Sequence, residues 1–217
     1  MRLDLSSYNT LVFDCDGVLL NSNKVTTQAF YLAALPYGDA AAQALVDYHV
    51  ANGGVSRYKK FDYFLKSIVA DQSDGPGVDV LLSRYAENVR EGLLSCDVAS
   101  GLTELRTKTN VARWLIVSGG DQAELREIFQ LRGLANLFDG GIFGSPDTKD
   151  EILEREKVSG NIKFPAMFLG DSKYDYQASH AAGLDFIFVA DWSEVKDPGQ
   201  WCQENSLCEV RSISQLI

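Results

Sequence analysis

Two hydrophobic patterns divide the 217-residue chain. Residues 9–14 form a short, apolar, β-branched stretch that ends in polar residues, which predicts a buried strand. From residue 22 to about residue 95, apolar residues recur at helical spacing between glycine and proline interruptions. This second pattern predicts about four helices, at residues 29–35, 40–50, 58–70 and 78–94.

After residue 97 the pattern alternates between strands and helices. It predicts strands at residues 113–117, 141–143, 166–169 and 186–189, and helices at residues 122–132, 150–157 and 174–182. Such alternation is typical of a parallel sheet with helices on both faces, and right-handed crossovers make the fold doubly wound. We therefore expect an α/β fold with a Rossmann-like core domain formed by residues 1–20 and 97–217. Residues 21–96 would form an inserted all-helical cap domain.

The charge and composition narrow the classes of partner. A formal net charge of −10 argues against nucleic acid, because a phosphate backbone requires a basic surface. A local cationic pocket for a small anionic substrate is still compatible with this charge. The chain contains neither a long apolar run nor the apolar segment of a secretory signal, so we expect no membrane partner and a cytoplasmic location. The four cysteines form no CxxC pair, which favours free thiols over a zinc site.

Chemically active residue types follow several of the predicted strands. Because ligands of parallel α/β sheets bind beyond the carboxyl ends of the strands, these residues are expected to meet at one edge of the sheet. The set comprises three carboxylates, a hydroxyl, two glycines and a lysine: Asp14, Asp16, Ser118, Gly119, Gly120, Lys149 and Asp171.

The three carboxylates predict a metal ion. Carboxylates at one edge repel each other unless a cation neutralises them. Mg²⁺ binds a few carboxylate oxygens and retains waters, which leaves room for a substrate phosphate. Asp175 lies one helical turn after Asp171, where two like charges are normally destabilising and a nearby metal would reverse the penalty.

Four motifs in a fixed order carry a family resemblance. DCDGV, VSGG, SPDTK and GDSKYD resemble the four motifs of the haloacid dehalogenase-like (HAD) phosphohydrolases. The helical insertion after the first strand resembles the C1-type cap of that superfamily. The stretch GDSKYDYQASHAAG is similar to the branch that contains phosphoglycolate phosphatases and β-phosphoglucomutases.

The resemblance implies roles for the matching residues. Asp14 would be the nucleophile that forms an aspartyl-phosphate. Asp16 would first protonate the leaving alcohol and then activate water. Ser118 and the Gly119 amide would hold phosphate oxygens, and Lys149 would offset the negative charge. The implied Mg²⁺ ligands are Asp14, the backbone carbonyl of Asp16 and Asp171, with Asp175 as a supporting residue.

The cap sequence suggests where specificity arises. GVSRYKKF, residues 54–61, is similar to the substrate loop in the caps of β-phosphoglucomutase-like proteins. By that similarity Arg57 would reach into the site, whereas an arginine at a helix start is equally compatible with a solvent-facing position.

The expected function is a Mg²⁺-dependent phosphatase of a small phosphorylated substrate, a sugar phosphate. The alternatives are a phosphomutase of the β-phosphoglucomutase type and a catalytically silent binding module on the same fold. Against the mutase, Thr26 occupies the position of that group's histidine, and Gly170 precedes Asp171 where the group has an acidic pair. Dehalogenases and phosphonatases are disfavoured because they lack an aspartate at the Asp16 position.

Overall fold

The computed structural model describes residues 4–72 and 74–217. Six strands form one parallel sheet in the order β3-β2-β1-β4-β5-β6. The strands are β1 (Thr10–Phe13), β2 (Arg113–Asp121), β3 (Gly141–Ser145), β4 (Ala166–Gly170), β5 (Asp185–Val189) and β6 (Cys208–Val210). The last residue of β1, Phe13, pairs with Ile116 of β2 and Leu169 of β4. The residues that follow these three positions therefore lie side by side at one edge of the sheet.

The central strand β1 is buried on both faces. Leu11 and Phe13 belong to one hydrophobic cluster, and Val12 belongs to a second cluster. Because successive side chains of a strand point to opposite faces, a strand covered on both sides is a continuous apolar run. The apolar run therefore predicted β1 from the sequence alone. The order of the six parallel strands confirms the expected doubly wound α/β fold.

Four α-helices lie between β1 and residue 97: α1 (Asn23–Ala34), α2 (Asp39–Ala51), α3 (Arg57–Tyr63) and α4 (Val78–Ser95). Helix α3 continues into a five-residue π-helical segment, Phe64–Ile68. Aromatic contacts among Phe30, Phe61 and Tyr85 join α1, α3 and α4. The segment is helical as expected, while its division from a core domain at residues 20 and 97 stays a prediction.

The remaining helices are α5 (Leu102–Lys108), α6 (Gln122–Leu131), α7 (Lys149–Val158), α8 (Lys173–Ala182) and α9 (Pro198–Glu204). Two of them, α5 and α9, and the edge strand β6 were not expected from the sequence. Each of these three elements has seven residues or fewer, too few for a clear periodicity. Among the described residues, the structure contains no helix that is long and apolar enough to span a membrane.

Candidate active site

Three buried carboxylates converge at the carboxyl edge of the sheet. Asp14 follows β1, Asp171 follows β4, and Asp175 lies in the first turn of α8. One oxygen from each lies within 4.8 Å of the others. The predicted meeting of Asp14 with Asp171 is therefore observed, and Asp175 joins them directly.

Lys149 connects two of these carboxylates. It lies in the first turn of α7, which starts at a capping box formed by Thr148 and Glu151. The Lys149 ammonium is almost completely buried and forms an ion pair with Oδ1 of Asp14 at 2.8 Å. It also donates a hydrogen bond to Oδ1 of Asp175. A lysine in a strongly charged helix start is thus an interior residue of the site.

Both carboxylate oxygens of Asp175 accept hydrogen bonds. Its Oδ2 accepts hydrogen bonds from the backbone N–H and the hydroxyl of Ser172, at 3.1 Å and 2.7 Å. These bonds form the capping box that begins α8. With Lys149 on its other oxygen, Asp175 has a full set of partners and fixes the lysine against Asp14.

The cluster carries more negative than positive charge. Burial, together with the charge of Asp175, raises the pKa of Asp14 to about 7. Burial and the charge of Asp14 likewise raise the pKa of Asp171. Although burial disfavours the charged form of Lys149, the two carboxylates that it contacts raise its pKa. One ammonium therefore faces three carboxylates, an arrangement that two further positive charges would balance.

A divalent metal fits this donor set. Apart from its ion pair with Lys149, Oδ1 of Asp14 is buried without a hydrogen-bond partner among the described residues. Carboxylate oxygens are the ligands that Mg²⁺ prefers. The candidate ligand side chains are Asp14 and Asp171, and Asp175 is within reach of the same position. The predicted role of the Asp16 backbone carbonyl as a ligand stays a prediction.

Gly17 leaves space for Asp171. Its φ of +77° lies in the left-handed region, and a Cβ there would lie 2.0 Å from Oδ2 of Asp171. The same oxygen accepts a hydrogen bond from Asn23 at 2.9 Å, and Asn23 also donates to the carbonyl of Trp192 at 2.7 Å. The glycine of DCDGV is therefore required both by its backbone and by its contact with the acidic cluster.

Asp16 stands apart from the three-carboxylate cluster. It is half-buried, and its Oδ1 accepts a hydrogen bond from the hydroxyl of Ser22. Asp16 and Asp14 nevertheless line the same cavity, whose volume is about 960 Å³. Asp14 and Asp16 thus line the same cavity but have different hydrogen-bond partners, and Ser22 orients Asp16.

The Ser118–Gly120 segment forms another part of the edge. Ser118 is buried, and its hydroxyl oxygen accepts a hydrogen bond from the N–H of Gly120 at 3.0 Å. A Cβ on Gly119 would lie 2.3 Å from the carbonyl oxygen of Gly54, in the loop before α3. The loop and the strand end therefore approach each other at a distance that only glycine permits at Gly119.

Two Arg–Glu pairs join the helical segment to α6. Arg57 of α3 is buried, contacts the ring of Tyr85 at 4.3 Å, and binds both carboxylate oxygens of Glu124. Arg90 of α4 binds Glu127 at 2.8 Å and 2.9 Å with both side chains about half exposed. The solvent-facing alternative for Arg57 is wrong. Arg57 lines the cavity, but its charge already has a partner in Glu124.

The sequence interpretation missed several residues of this site. Glu124, Ser22 and His49 all lie at or beside the cavity, and none was among the predicted site residues. Ser22 closely follows the DCDGV motif in the chain, which is the one signal that could have indicated it. Glu124 binds Arg57, which lies 67 positions earlier in the chain, and no local sequence pattern indicates a contact over that separation.

A sequence model of the haloacid dehalogenase-like hydrolases matches residues 8–183, most of the chain. This protein is a HAD-like hydrolase. Among curated proteins, none matches the sequence.

Solved structures resemble the HAD-like chain over nearly its whole length. A predicted phosphatase from Clostridium acetobutylicum has 19% sequence identity and a TM-score of 0.71, with 96% of each chain covered. A candidate HAD-hydrolase from Bacillus subtilis, bound to magnesium and described as revealing interdomain movement, has 18% identity and a TM-score of 0.64, with 96% of each chain covered. A candidate β-phosphoglucomutase from Thermotoga maritima has 16% identity and a TM-score of 0.65, again over 96% of both chains. At these sequence identities, the structural similarity shows the fold alone.

The family match confirms that the chain is a hydrolase of the predicted superfamily. The catalytic and metal-binding roles of individual residues stay predictions. The structure brings Asp14, Lys149, Asp171 and Asp175 into one neighbourhood, whereas the side chain of Asp16 lies outside the cluster of three carboxylates.

Proposed function

We propose that this HAD-like hydrolase is a Mg²⁺-dependent phosphatase of a small phosphorylated metabolite and acts through an aspartyl-phosphate on Asp14. The observation that supports it best is the buried contact among Asp14, Lys149 and the other two carboxylates, at the wall of a cavity. Phosphoryl transfer depends mainly on positioning and charge compensation, and this arrangement supplies both. The sugar phosphate expected from the sequence is one substrate of this class.

In the first step, a carboxylate oxygen of Asp14 attacks phosphorus and the ester P–O bond breaks. Asp16 gives its proton to the departing alkoxide, which leaves as an alcohol. In the second step, Asp16 takes a proton from water, whose oxygen attacks the phosphoryl group. The bond between phosphorus and Asp14 then breaks, which releases inorganic phosphate and restores the carboxylate.

The other residues orient the reacting groups and compensate negative charge during both steps. Lys149 is held by Asp175 against Asp14 and keeps the nucleophile oriented. Ser118 and the amide of Gly119 are proposed to donate hydrogen bonds to phosphate oxygens. A bound Mg²⁺ would neutralise charge on the phosphoryl oxygens and keep the nucleophile ionised, and Asp14 and Asp171 would hold it.

The environment of Thr26 disfavours the mutase alternative. Its hydroxyl donates a hydrogen bond to the carbonyl of Asn23 at 2.9 Å within α1. Threonine has no basic group at this position, where the mutase group has a histidine. When a sugar 1-phosphate is supplied with its bisphosphate, we therefore expect free phosphate rather than an isomerised sugar phosphate.

The central experiment measures phosphate release from an aryl phosphate with and without Mg²⁺. Asp14→Asn should abolish release, since the amide is not a nucleophile. Asp62→Asn, at an exposed position of α3, is the matched control and should retain it. Phosphate release that persists in Asp14→Asn would contradict the mechanism. No release by the wild-type protein from aryl or alkyl phosphates would leave the silent binding module as the better interpretation.

The leaving group tests the role of Asp16. Asp16→Asn should reduce turnover of an alkyl phosphate by about 10²- to 10⁴-fold, because an alkoxide requires a proton in order to leave. The first step with p-nitrophenyl phosphate should suffer much less, since p-nitrophenolate leaves without one. A burst of p-nitrophenolate followed by slow turnover is therefore expected from the Asp16→Asn protein. If the substitution slowed the first step equally with both esters, the result would refute this role.

A further inference from the structure

The cavity wall contains a buried lysine outside the acidic cluster. Lys60 of α3 is 2% exposed, and its Nζ lies 2.7 Å from Nδ1 of His49 on α2. This is the only hydrogen-bond partner of the ammonium among the described residues, and the nearby ring of Phe30 lies 5.4 Å away. Lys60 and His49 both line the cavity that Asp14 and Asp16 face.

Lys60 differs from the other buried cations of the site in having no carboxylate partner within residues 4–72 and 74–217. Arg57 is paired with Glu124, and Lys149 is paired with two aspartates. Burial lowers the pKa of Lys60 to about 7, and the more distant charges of Asp16 and Glu194 oppose this only in part. A buried ammonium without a counter-charge is unfavourable, so the position is suited to an anion from outside the chain.

His49 has an unused hydrogen-bonding atom as well. When the Lys60 ammonium donates to Nδ1, the neutral imidazole carries its proton on Nε2. Burial lowers the pKa of His49 to about 2, so the ring is neutral. Its Nε2 is buried without a hydrogen-bond partner among the described residues, and the nearest carboxylate oxygen, of Glu194, is 3.9 Å away. The pair therefore offers N–H donors that lack an acceptor.

We propose that Lys60, positioned by His49, binds a carboxylate on the leaving group of the substrate. The inference rests on the proposed phosphatase function and narrows its substrates to phosphate esters of small hydroxy acids or sugar acids. A carboxylate fits better than a second phosphate, because Asp16, Asp47 and Glu194 also line the cavity and would repel a dianion. One lysine without a carboxylate partner among the described residues matches one negative charge.

A matched pair of substrates tests this assignment. 3-Phosphoglycerate and glycerol 3-phosphate differ in having a carboxylate or a hydroxymethyl group at the same position. The wild-type protein should prefer 3-phosphoglycerate in kcat/KM. Lys60→Met, which keeps the length without the charge, should reduce this preference by about 10- to 100-fold, the usual effect of a hydrogen bond to a charged group. Most of the change should appear in KM.

The control is Lys59→Met, which removes the same charge from an exposed position of the same helix and should leave the preference unaltered. Lys60→Arg should restore part of it. Equal losses on both substrates in Lys60→Met would show a structural role for Lys60 and overturn the proposal. A wild-type preference for glycerol 3-phosphate would also overturn it.

A binding measurement separates this inference from the proposed function. Calorimetry with the Asp14→Asn protein compares the affinities of 3-phosphoglycerate and glycerol 3-phosphate without turnover. Stronger binding of 3-phosphoglycerate that Lys60→Met abolishes would support the subsite even if the wild-type protein hydrolysed neither ester. Equal affinities, or no binding of either ester, would overturn the subsite even in an active phosphatase.

Discussion

Replacement of Asp14 by asparagine should stabilise the metal-free protein, and the gain should grow with pH. In the folded chain, burial and the charge of Asp175 raise the pKa of Asp14 from 3.8 to about 7. Between about pH 4 and pH 7 the folded protein therefore binds a proton that the unfolded chain has released. Folding stability falls as the pH rises through this window.

The magnitude follows from this pKa difference. Each pH unit within the window costs about 1.4 kcal/mol, so the wild-type protein should lose about 3 kcal/mol between pH 5 and pH 7. Asp14→Asn lacks the ionisable group and does not suffer this loss. For a chain of this size the difference corresponds to about 6–12 °C in Tm.

The assay is thermal unfolding of the wild-type protein and Asp14→Asn in a chelating buffer at pH 5 and pH 8, with Asp62→Asn as the control for a surface aspartate. The Tm advantage of Asp14→Asn should be larger at pH 8. Added Mg²⁺ should raise the Tm of the wild-type protein more at pH 8 than at pH 5, because it binds the ionised carboxylates. A Tm difference that does not change with pH would refute the reasoning.

Two further substitutions test contacts at the edge of the site. Gly17→Ala should lower Mg²⁺-dependent activity by about 10²-fold, because the new Cβ would displace Asp171, which lies 2.0 Å from that position. The control Gly38→Ala has φ +96° and no atom within 4 Å of its Cβ, so it should lose stability without losing activity, and equal activity losses would contradict this account. Glu124→Gln should destabilise the protein by about 3 kcal/mol by leaving the buried charge of Arg57 without a carboxylate; an unchanged Tm on thermal unfolding would count against this.

The sequence was most informative where one local pattern determines the structure. The apolar run of β1 leads directly into Asp14, so both the strand and its place at the carboxyl edge followed from the pattern. Helix α1 was expected to begin at residue 29, but it begins at Asn23. Its first turns are polar because Ser22 and Asn23 hydrogen-bond the acidic residues of the site rather than the apolar interior.

Contacts between distant segments could not be predicted in this way. The stretch RYKK at residues 57–60 has the composition of a solvent-exposed helix start, yet Arg57 and Lys60 are buried and only Lys59 is exposed. Their burial depends on Glu124 and His49, which belong to other helices. A single sequence contains no periodicity that reports such pairings.

The two Arg–Glu pairs that join the helical segment to α6 should differ in how strongly dissolved salt weakens them. Mobile ions screen the half-exposed pair of Arg90 and Glu127, whereas the pair of Arg57 and Glu124 is shielded from them. Rising ionic strength should thus weaken the contact of α4 with α6 at Arg90 and Glu127, while the contact of α3 with α6 at Arg57 and Glu124 persists. Helix α6, which directly follows the Ser118–Gly120 segment, would then keep one of its two ionic contacts with the helical segment at high salt.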